Sequence, residues 1–588
     1  MRYRILLSFL LTVLFVLASG CGTTKNCPVC GTTVNDGYAV IDIIPVPEHN
    51  PTGAPGGPFN SFDISWIDPG THRDYVADRI GLDVAVFDTI NNVAVNVITG
   101  ANGVAQGGDV ASGCIKDSGN NDIIPPLVSV LGNFTRFGCR TKIPLTQPFQ
   151  LPGFGPNGLF GGFTGAQCCA SRGNGVNPLS CPCGIVVTAD GQTMFVGNAS
   201  STVVVFDLTT NPPTVIANIP TGQSPDFDGP VGTAPCVASA AGRALSDPTC
   251  GDMRADEMSY DEADHILLVT NGDPGLPFAT FIDMSGVVAR TDHCLPVDPA
   301  KAYGPPLNGG GAGALNVPTC IIGQIYYDGS PQNNATATVD DGGLNAGIPC
   351  PDPSVPTVQS GVSGHGVGTG GADIPCHRGP VLTSAGAFCN QVAPAAGCAG
   401  AVSLVGLGGS AFNPNSGMFL VTNGNATGDL TVGTVDVIDP KGANGPVVVN
   451  SFNMPSCMAS SIVQGPGNNF LVGCADHDGV TFPPNEYVID GTSGAILATI
   501  TNVGGVDETW YNPGDNRYYL AARDMPAGPV LGIIDAKTNQ WLQNVATNSN
   551  SHSVAVEPSN NHVFVPLQSG GICTTQSANG CIGVYAQQ

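Results

Sequence analysis

Residues 203–211 read VVVFDLTTN, a β-branched run that closes on a hydrophobe and an aspartate before a polar turn. The chain repeats this phrase at VAVFDTINN (84–92), TFIDMSG (280–286), DVIDPKG (436–442), YVIDGTSG (487–494) and GIIDAKTN (532–539). Short β-branched and aromatic runs bounded by Gly, Asn and Thr are typical of strands joined by tight turns. Each copy therefore predicts a β-hairpin in which the aspartate caps the turn as an Asx turn, with no catalytic role.

A second phrase precedes each copy and consists of two apolar runs around a Gly/Asn/Pro-rich turn, as in TADGQTMFVGN (188–198) and FNPNSGMFLVTN (412–423). Two hairpins make a unit of roughly 40 to 50 residues, the period of propeller blades. Seven units follow one another, at about 60–100, 180–221, 253–295, 405–452, 457–503, 506–548 and 551–588. The sequence predicts an all-β fold, a single seven-bladed β-propeller.

The last unit stops after its third strand, at about residues 582–586. An unused strand, YAVIDIIPV (38–46), precedes the first unit. A strand from the opposite terminus would complete the last blade and remove its exposed edge. We therefore expect a closed ring, with the N-terminal strand closing the last blade.

Several second strands end in related tetrapeptides: LVTN (268–271 and 420–423), FVGN (195–198) and YVAD (75–78). With the VxVΦD-type strands that follow them, they resemble the YVTN β-propeller repeat family of bacterial surface and periplasmic proteins. The resemblance covers nearly all of the chain outside its insertions. It implies the architecture but little chemistry, because such propellers include ligand binders, adhesins and lactonase-like enzymes.

The N-terminus has the layout of an export signal. Arg2 and Arg4 precede an apolar run from residue 5 to 17, and the segment ends Leu17-Ala18-Ser19-Gly20-Cys21. This resembles a bacterial lipobox with Ala18 where Leu is usual, and the alternative is an ordinary signal peptide. We expect a signal peptide at 1–21, a tether at 22–36 and the propeller at 37–588. The protein would then be a cell-envelope lipoprotein, anchored through Cys21 on the periplasmic face or outer surface.

The cysteine count agrees with export. Setting Cys21 aside leaves an even number of the 21 cysteines, which favours disulfides over metal thiolates. Cys457 with Cys474 and Cys573 with Cys581 would join hairpin strands. The loop pairs expected are Cys236 with Cys250 and Cys389 with Cys398.

The charge balance excludes one class of partner and favours another. The formal net charge is -26, with only 19 Lys and Arg. Nucleic-acid binding needs clustered basic residues, so neither nucleic acid nor an anionic membrane surface is expected as a partner. Cations remain suitable ligands.

Long insertions at about 101–178, 222–251 and 296–400 separate blades. Each is predicted to run from the last strand of one blade to the first strand of the next, so all three should rise from one rim. They contain more than half of the cysteines available for bonding. Long loops that disulfides order are often functional, and we expect these to roof the central funnel.

The same rim collects the candidate ligand-binding residues. The starts of the first strands supply Asp63, Asp256, Glu257, Asp507, Glu508 and His552, and the ends of the second strands supply Asn271, Asn423, His477 and Arg523. Converging carboxylates suit a hard cation such as Ca²⁺, and the candidate metal ligands are Asp256, Glu257, Asp507 and Glu508. Trp66 and Trp510 occupy equivalent first-strand positions and are expected to pack between blades.

Three functions are compatible with this pattern. The first is an exported propeller that binds a small-molecule ligand, a cation or a protein partner in its funnel. The second is a metal-dependent hydrolase or lactonase-like enzyme, with the rim carboxylates or His552 as metal ligands or general base. The third is a structural surface protein whose insertions make the contacts.

Overall fold

The strand pairing of this chain was obtained from a computed structural model. It describes residues 37–46, 59–81, 83–98, 182–198, 202–221, 255–272, 278–292, 294, 320–326, 407–424, 432–442, 445–475, 484–575 and 579–588, and short strands elsewhere. One unit comprises Met1–Ala39 with Gln587–Gln588, in which the Gln588 amide donates to the Gly37 carbonyl at 3.1 Å. The other unit, Val40–Ala586, contains the propeller.

Seven antiparallel sheets, numbered here as blades in chain order, confirm the predicted fold. Blade 1 consists of Phe62–Asp68, Arg73–Asp78, Asp83–Asp88 and Val93–Ile98, and blade 2 of Ile185–Val187, Thr193–Asn198, Thr202–Asp207 and Thr214–Pro220. Blade 3 consists of Met258–Asp261, Ile266–Asn271, Phe278–Asp283 and Ile321–Tyr326, and blade 4 of Leu407–Asn413, Met418–Asn423, Val432–Asp439 and Val447–Pro455. Blade 5 consists of Met458–Gln464, Asn469–Ala475, Glu486–Asp490 and Ile496–Ile500, and blade 6 of Glu508–Asn512, Arg517–Ala522, Val530–Asp535 and Gln540–Ala546. Blade 7 consists of Ala555–Glu557, His562–Leu567, Cys581–Gln587 and Tyr38–Pro45.

The first strands line the centre of the ring. Each contacts the first strand of both neighbouring blades, and the circle closes between Phe62–Asp68 and Ala555–Glu557. Serine hydroxyls connect some of these strands: Ser410 Oγ lies 2.8 Å from Ser259 Oγ, and Ser460 Oγ donates to the Val506 carbonyl at 2.7 Å. The apolar cores lie between blades, where alternate residues of facing strands pack.

The predicted closure is confirmed. Tyr38–Pro45 pairs with Cys581–Gln587 and completes blade 7. Ile44 and Val46 are buried in the core that blade 7 shares with blade 1. The last blade therefore combines strands from both ends of the chain, as propellers do to remove a free edge.

The turn aspartates have the predicted capping role. In each copy of the phrase the carboxylate accepts at least one backbone N–H from two or three residues on, at Asp88, Asp207, Asp283, Asp439, Asp490 and Asp535. At Asp490 the backbone N–H of Ser493 and the Asn468 amide lower the carboxyl pKa to about 2. At Asp490 these hydrogen bonds favour the ionised form and fix the outer hairpin.

Blade 3 departs from the expected boundaries. Its third strand ends at Asp283, whose carboxylate accepts the Ser285 N–H at the start of a short helix, Ser285–Val288, where a hairpin turn was expected. The fourth strand comes only at Ile321–Tyr326, inside the segment expected to be the 296–400 insertion. Part of that insertion therefore lies between the third and fourth strands, and leaves from the rim opposite the other insertions. A further short strand, Cys376–Arg378, pairs in parallel with the fourth.

Disulfides join the ends of several strands. Cys457–Cys474 and Cys573–Cys581 form as predicted. The Cys294–Cys320 disulfide was not predicted. It holds Cys320, just before the fourth strand of blade 3, next to the end of the third strand, where the Asp283 amide donates to the Cys320 carbonyl at 2.7 Å. The expected pairs Cys236–Cys250 and Cys389–Cys398 lie wholly or partly outside the described residues.

The expected signal peptide, tether and lipidated Cys21 also lie outside the described residues. Among the residues that are described, no helix has the length and apolar character needed to cross a membrane.

Candidate functional site in the funnel

The rim at which the first strands begin, called here the funnel rim, brings together ionisable side chains from several blades. Asp63 belongs to blade 1, Asp256 and Glu257 to blade 3, Asp507 and Glu508 to blade 6, and His552 to blade 7. These residues are far apart in sequence. They meet because the first strands form a closed circle and all run in the same direction away from this rim.

Glu257 and Glu508 form the centre of the cluster. Their side chains are hydrogen-bonded to each other, although blades 3 and 6 are not neighbours, so the pair crosses the middle of the ring. Both are half-buried. Burial, and then repulsion from Asp256 at Glu257 and from Glu257 at Glu508, raises the pKa of each carboxyl well above its usual range. Two carboxyls in contact behave as one pair that shares a proton.

The neighbouring carboxylates have arginine partners. Asp63 forms a buried ion pair with Arg79. Asp507 lies 2.9 Å from Arg523 Nη1, and Asp524 lies 3.2 Å from Arg523 Nε. Carboxyl groups still outnumber guanidinium groups in the cluster, so the funnel rim keeps a negative balance next to the Glu257–Glu508 pair.

His552 connects blade 7 to blade 1. Its Nδ1 lies 2.8 Å from the Asn550 carbonyl oxygen and its Nε2 lies 2.9 Å from the Phe62 carbonyl oxygen. The ring stacks on Phe62 with centroids 4.8 Å apart. Burial, followed by the nearby Arg523, lowers the pKa of His552. Because both ring nitrogens already face carbonyl oxygens, the side chain would have to leave one contact before it could act as a general base.

An aromatic pair lies one layer below the glutamates. Glu508 and Trp510 are two residues apart on one strand, so they project to the same side. The Trp510 ring meets Trp66 of blade 1 edge to face, with centroids 5.3 Å apart. Blades 1 and 6 are not neighbours, so the two indoles meet across the central channel. Trp66 also packs against the core between blades 1 and 2, and Trp510 against the core between blades 7 and 1, as expected. The indoles therefore form an apolar floor below the carboxyl pair.

One group of side chains has the spacing of a metal site but not its chemistry. Ligand atoms of Asp63, Cys183 and Asp256 lie within 4.8 Å of one another. Cys183 is disulfide-bonded and supplies no thiolate, and Asp63 is paired with Arg79. Among the described residues no other group of three or more Asp, Glu, His or Cys side chains has this spacing, so the predicted metal ligands Glu257, Asp507 and Glu508 do not form a group of this kind.

Two glycines of blade 2 allow the backbone that precedes the first strand of blade 3, with Asp256 and Glu257, to pack close against blade 2. A Cβ on Gly184 would lie 1.8 Å from the Asp256 carbonyl oxygen, and one on Gly197 would lie 2.2 Å from the Ala255 carbonyl oxygen. Only glycine permits backbones to approach this closely. The position of Asp256 and Glu257 therefore depends on the absence of two side chains in the neighbouring blade.

The remaining predicted residues lie in different surroundings. Asn271 is fully buried and accepts a hydrogen bond from Thr221 Oγ1 at 3.1 Å, at the contact between blades 2 and 3. Asn423 is likewise fully buried at the end of its strand. His477 lies outside the described residues. Arg79 was not predicted as a site residue from the sequence. It comes directly after the second strand of blade 1, and Arg523 has the same position in blade 6.

Comparisons with known proteins add little to this site. No protein-family model matches the chain, and no curated relative matches its sequence. Among solved structures, a chain of "Crystal Structure of Mitotic Checkpoint Complex" is similar with a TM-score of 0.39 and 9% identity, covering 96% of this chain and 96% of that chain. No functional argument follows from a similarity of this size. The β-propeller rests on the strand pairing itself, and membership of the YVTN family stays a prediction.

Proposed function

We propose that this β-propeller is a binding protein whose funnel takes up a positively charged group, either a divalent cation such as Ca²⁺ or the ammonium group of an organic molecule. The observation that carries the proposal is the Glu257–Glu508 pair, which places two carboxyls in contact across the ring. A cation bound between them would replace the shared proton and offset the burial and the repulsion that raise both pKa values.

The surroundings suit both forms of the ligand, by different contacts. The Glu257 and Glu508 carboxylates would bind a metal ion through their oxygen atoms, and Asp256 adds negative charge nearby. The Trp66 and Trp510 rings below the pair would instead favour an organic ammonium group, because cations are attracted to indole faces. The two cases differ in their dependence on the tryptophans.

Thermal unfolding of the purified protein tests the proposal. The melting temperature is measured with CaCl₂, with methylammonium chloride and with NaCl at equal ionic strength. A ligand that binds only the folded state at a hundredfold excess over its Kd stabilises by about 2.7 kcal/mol. We expect a rise with CaCl₂ or with methylammonium that NaCl does not reproduce.

Paired substitutions locate the binding site. Glu257→Gln with Glu508→Gln should abolish the rise, whereas Asp207→Asn with Asp535→Asn removes the same formal charge from outer turns and should leave it intact. Trp510→Leu should weaken the response to methylammonium but not to Ca²⁺. No response to either cation, or a full response in the glutamine double variant, would contradict the proposal.

A second candidate is a metal-dependent hydrolase or lactonase-like enzyme. The observation that favours it is again the glutamate pair, since a carboxyl whose pKa is raised well above its usual range serves as a general acid while its partner serves as a base. Hydrolysis of a panel of lactones and esters, lost in both Glu257→Gln and Glu508→Gln single variants, would support it. Cation binding with no hydrolysis of the panel would leave the binding function alone.

We also propose that the protein is exported and held on the cell envelope by a lipid on Cys21. Support comes from the sequence of the first 21 residues and from disulfides in the described blades, which are typical of exported proteins. Cys21→Ser should move the protein from the membrane fraction to the soluble exported fraction without changing its melting temperature. Equal distribution of both forms would indicate an ordinary signal peptide.

A further inference from the structure

The interface between blade 7 and blade 1, called here the closing junction, contains a carboxyl group in an apolar core. Asp74 lies opposite Ile67 on one neighbouring strand and opposite Phe87 on the other. Residues directly opposite each other share one face of a sheet. Ile67 and Phe87 belong to the core that includes Phe564 and Ile582 of blade 7. Asp74 therefore faces blade 7 where the two ends of the chain are brought together.

The surroundings of Asp74 offer little to an ionised carboxylate. The residue is 0% exposed, and its Oδ1 accepts one hydrogen bond, from Ser65 Oγ at 2.8 Å. Its Oδ2 has no hydrogen-bond partner among the described residues. Burial raises the pKa of Asp74 to about 7, and the Ser65 hydroxyl opposes the rise only in part.

No charged neighbour offsets this burial. The ionisable groups on its own strand, on the adjacent strands of blade 1 and on the facing part of blade 7 are Arg73, Tyr75, Asp78, Asp63, Asp68, Asp83, Asp88, Asp42, His552, Glu557 and His562. None of them shifts the pKa of Asp74. Those nearest the junction are paired with one another: Arg73 with Asp88 at 2.9 Å and Glu557 with His72 at 3.1 Å.

We propose that Asp74 makes the closing junction proton-dependent: the neutral carboxyl keeps blades 7 and 1 packed, and the ionised carboxylate loosens them. The effect reaches the funnel rim through Ser65, whose backbone N–H donates to Ser553 Oγ at 2.8 Å. Ser65 lies two residues after Asp63, and Ser553 follows His552. The inference does not depend on the proposed ligand.

The direction of the effect follows from proton linkage. An unfolded aspartate has a pKa of about 3.9, below the value in the folded state. The stability due to the protonated group is therefore fully present below about pH 4 and is lost as pH rises through about 7. Between pH 6 and pH 8, the equilibrium constant for opening the junction should rise about tenfold.

Hydrogen exchange of the full chain at pH 6, 7 and 8, corrected for the intrinsic exchange rate, measures this opening. In wild type we expect protection to fall about tenfold across the range in peptides from Arg73–Asp78 and His562–Leu567. In Asp74→Asn the fall should disappear. Ser65→Ala removes the single hydrogen bond to the carboxylate, so it should move the fall to higher pH.

Glu486 supplies a matched control in blade 5. It is also 0% exposed, accepts one hydrogen bond, from the Cys474 amide at 2.7 Å, and has an Oε1 without a partner among the described residues. It lies opposite Ile500, in the core shared with blade 6. Glu486→Gln should leave the tenfold fall at the closing junction in place. An unchanged fall in Asp74→Asn, or an equal fall in peptides from Tyr518 and Leu520 in every variant, would overturn the proposal.

Discussion

Asp490 in an outer hairpin turn and the Glu257–Glu508 pair on the funnel rim belong to the same kind of repeating unit, yet their surroundings act on their carboxyl groups in opposite directions. Asp490 accepts N–H groups of its own turn, and its pKa falls to about 2. Glu257 and Glu508 face each other across the ring, and their pKa values rise. Hydrogen bonds in its turn stabilise the ionised form of Asp490, whereas burial and repulsion disfavour the ionised forms of Glu257 and Glu508.

The difference also separates local from long-range structure. The partners of Asp490 in the turn lie two and three residues further along the chain. The partner of Glu257 lies in another blade, and the two meet only if the ring is closed. Asp490 also accepts a hydrogen bond from Asn468 in the neighbouring turn, so it needs only its own blade, while the Glu257–Glu508 pair needs the closed ring.

Opening the ring should therefore have the largest effect. Deleting residues 22–47 removes Tyr38–Pro45 from blade 7, so we expect a large loss of stability or aggregation through the exposed edge of Cys581–Gln587. Deleting only residues 22–34 leaves that strand in place and should be harmless. Thermal melts and light scattering compare the two truncations. Equal behaviour would mean that the closing strand contributes little.

The same distinction explains what could be predicted from the sequence. The blades, the closing strand and the turn aspartates follow from patterns within one unit, and the repeats reinforce each other. The fourth strand of blade 3 was misplaced because a helix after Asp283 and the Cys294–Cys320 disulfide interrupt that pattern.

Contacts across the ring were harder to foresee. The rim positions of Glu257 and Glu508 could be aligned by counting along each first strand. The Asp63–Arg79 ion pair lies within blade 1. The Glu257–Glu508 contact and the Trp66–Trp510 pair, however, depend on which blades face each other across the channel and on the lengths of the side chains. No spacing within one repeat contains that information.

Substituting Gly184 should disturb the funnel without opening the ring. In Gly184→Ala the new Cβ meets the Asp256 carbonyl, so the backbone of blade 2 or blade 3 must move, at a cost of about 1–3 kcal/mol. Gly70→Ala is the control at the opposite rim, where the nearest atom is Asp68 Oδ1 at 3.3 Å and little should change. Denaturant unfolding measures both variants. Equal losses would show that close packing of blades 2 and 3 does not position Asp256.

The pH dependence of stability should distinguish the funnel acids from the turn acids. Unfolded glutamate loses its proton near pH 4.3, while the folded pair still holds one, so wild-type stability should fall as pH rises above about 4. Glu257→Gln with Glu508→Gln should reduce this fall, leaving the part due to Asp74, and give an equal or higher melting temperature at pH 7. Superimposable pH profiles would indicate that the pair does not share a proton in solution.

The smallest effect is expected at a single outer turn. Asp490→Ala removes the acceptor for Thr492, Ser493 and Asn468, and we expect a loss of about 1–2 kcal/mol at pH 7. Asp490→Asn keeps an oxygen in the same place and should lose about half as much, which separates the hydrogen-bond geometry from the charge. Because the folded pKa lies below the unfolded value, the stability due to the charge is present above about pH 4 and is lost as pH falls towards 2. Urea unfolding at pH 7 and pH 2.5 should therefore show a wide gap between wild type and Asp490→Asn at the higher pH and a narrow one at the lower. A gap that widens on acidification would place Asp490 with the funnel acids, and would remove the distinction between the two sets of carboxylates.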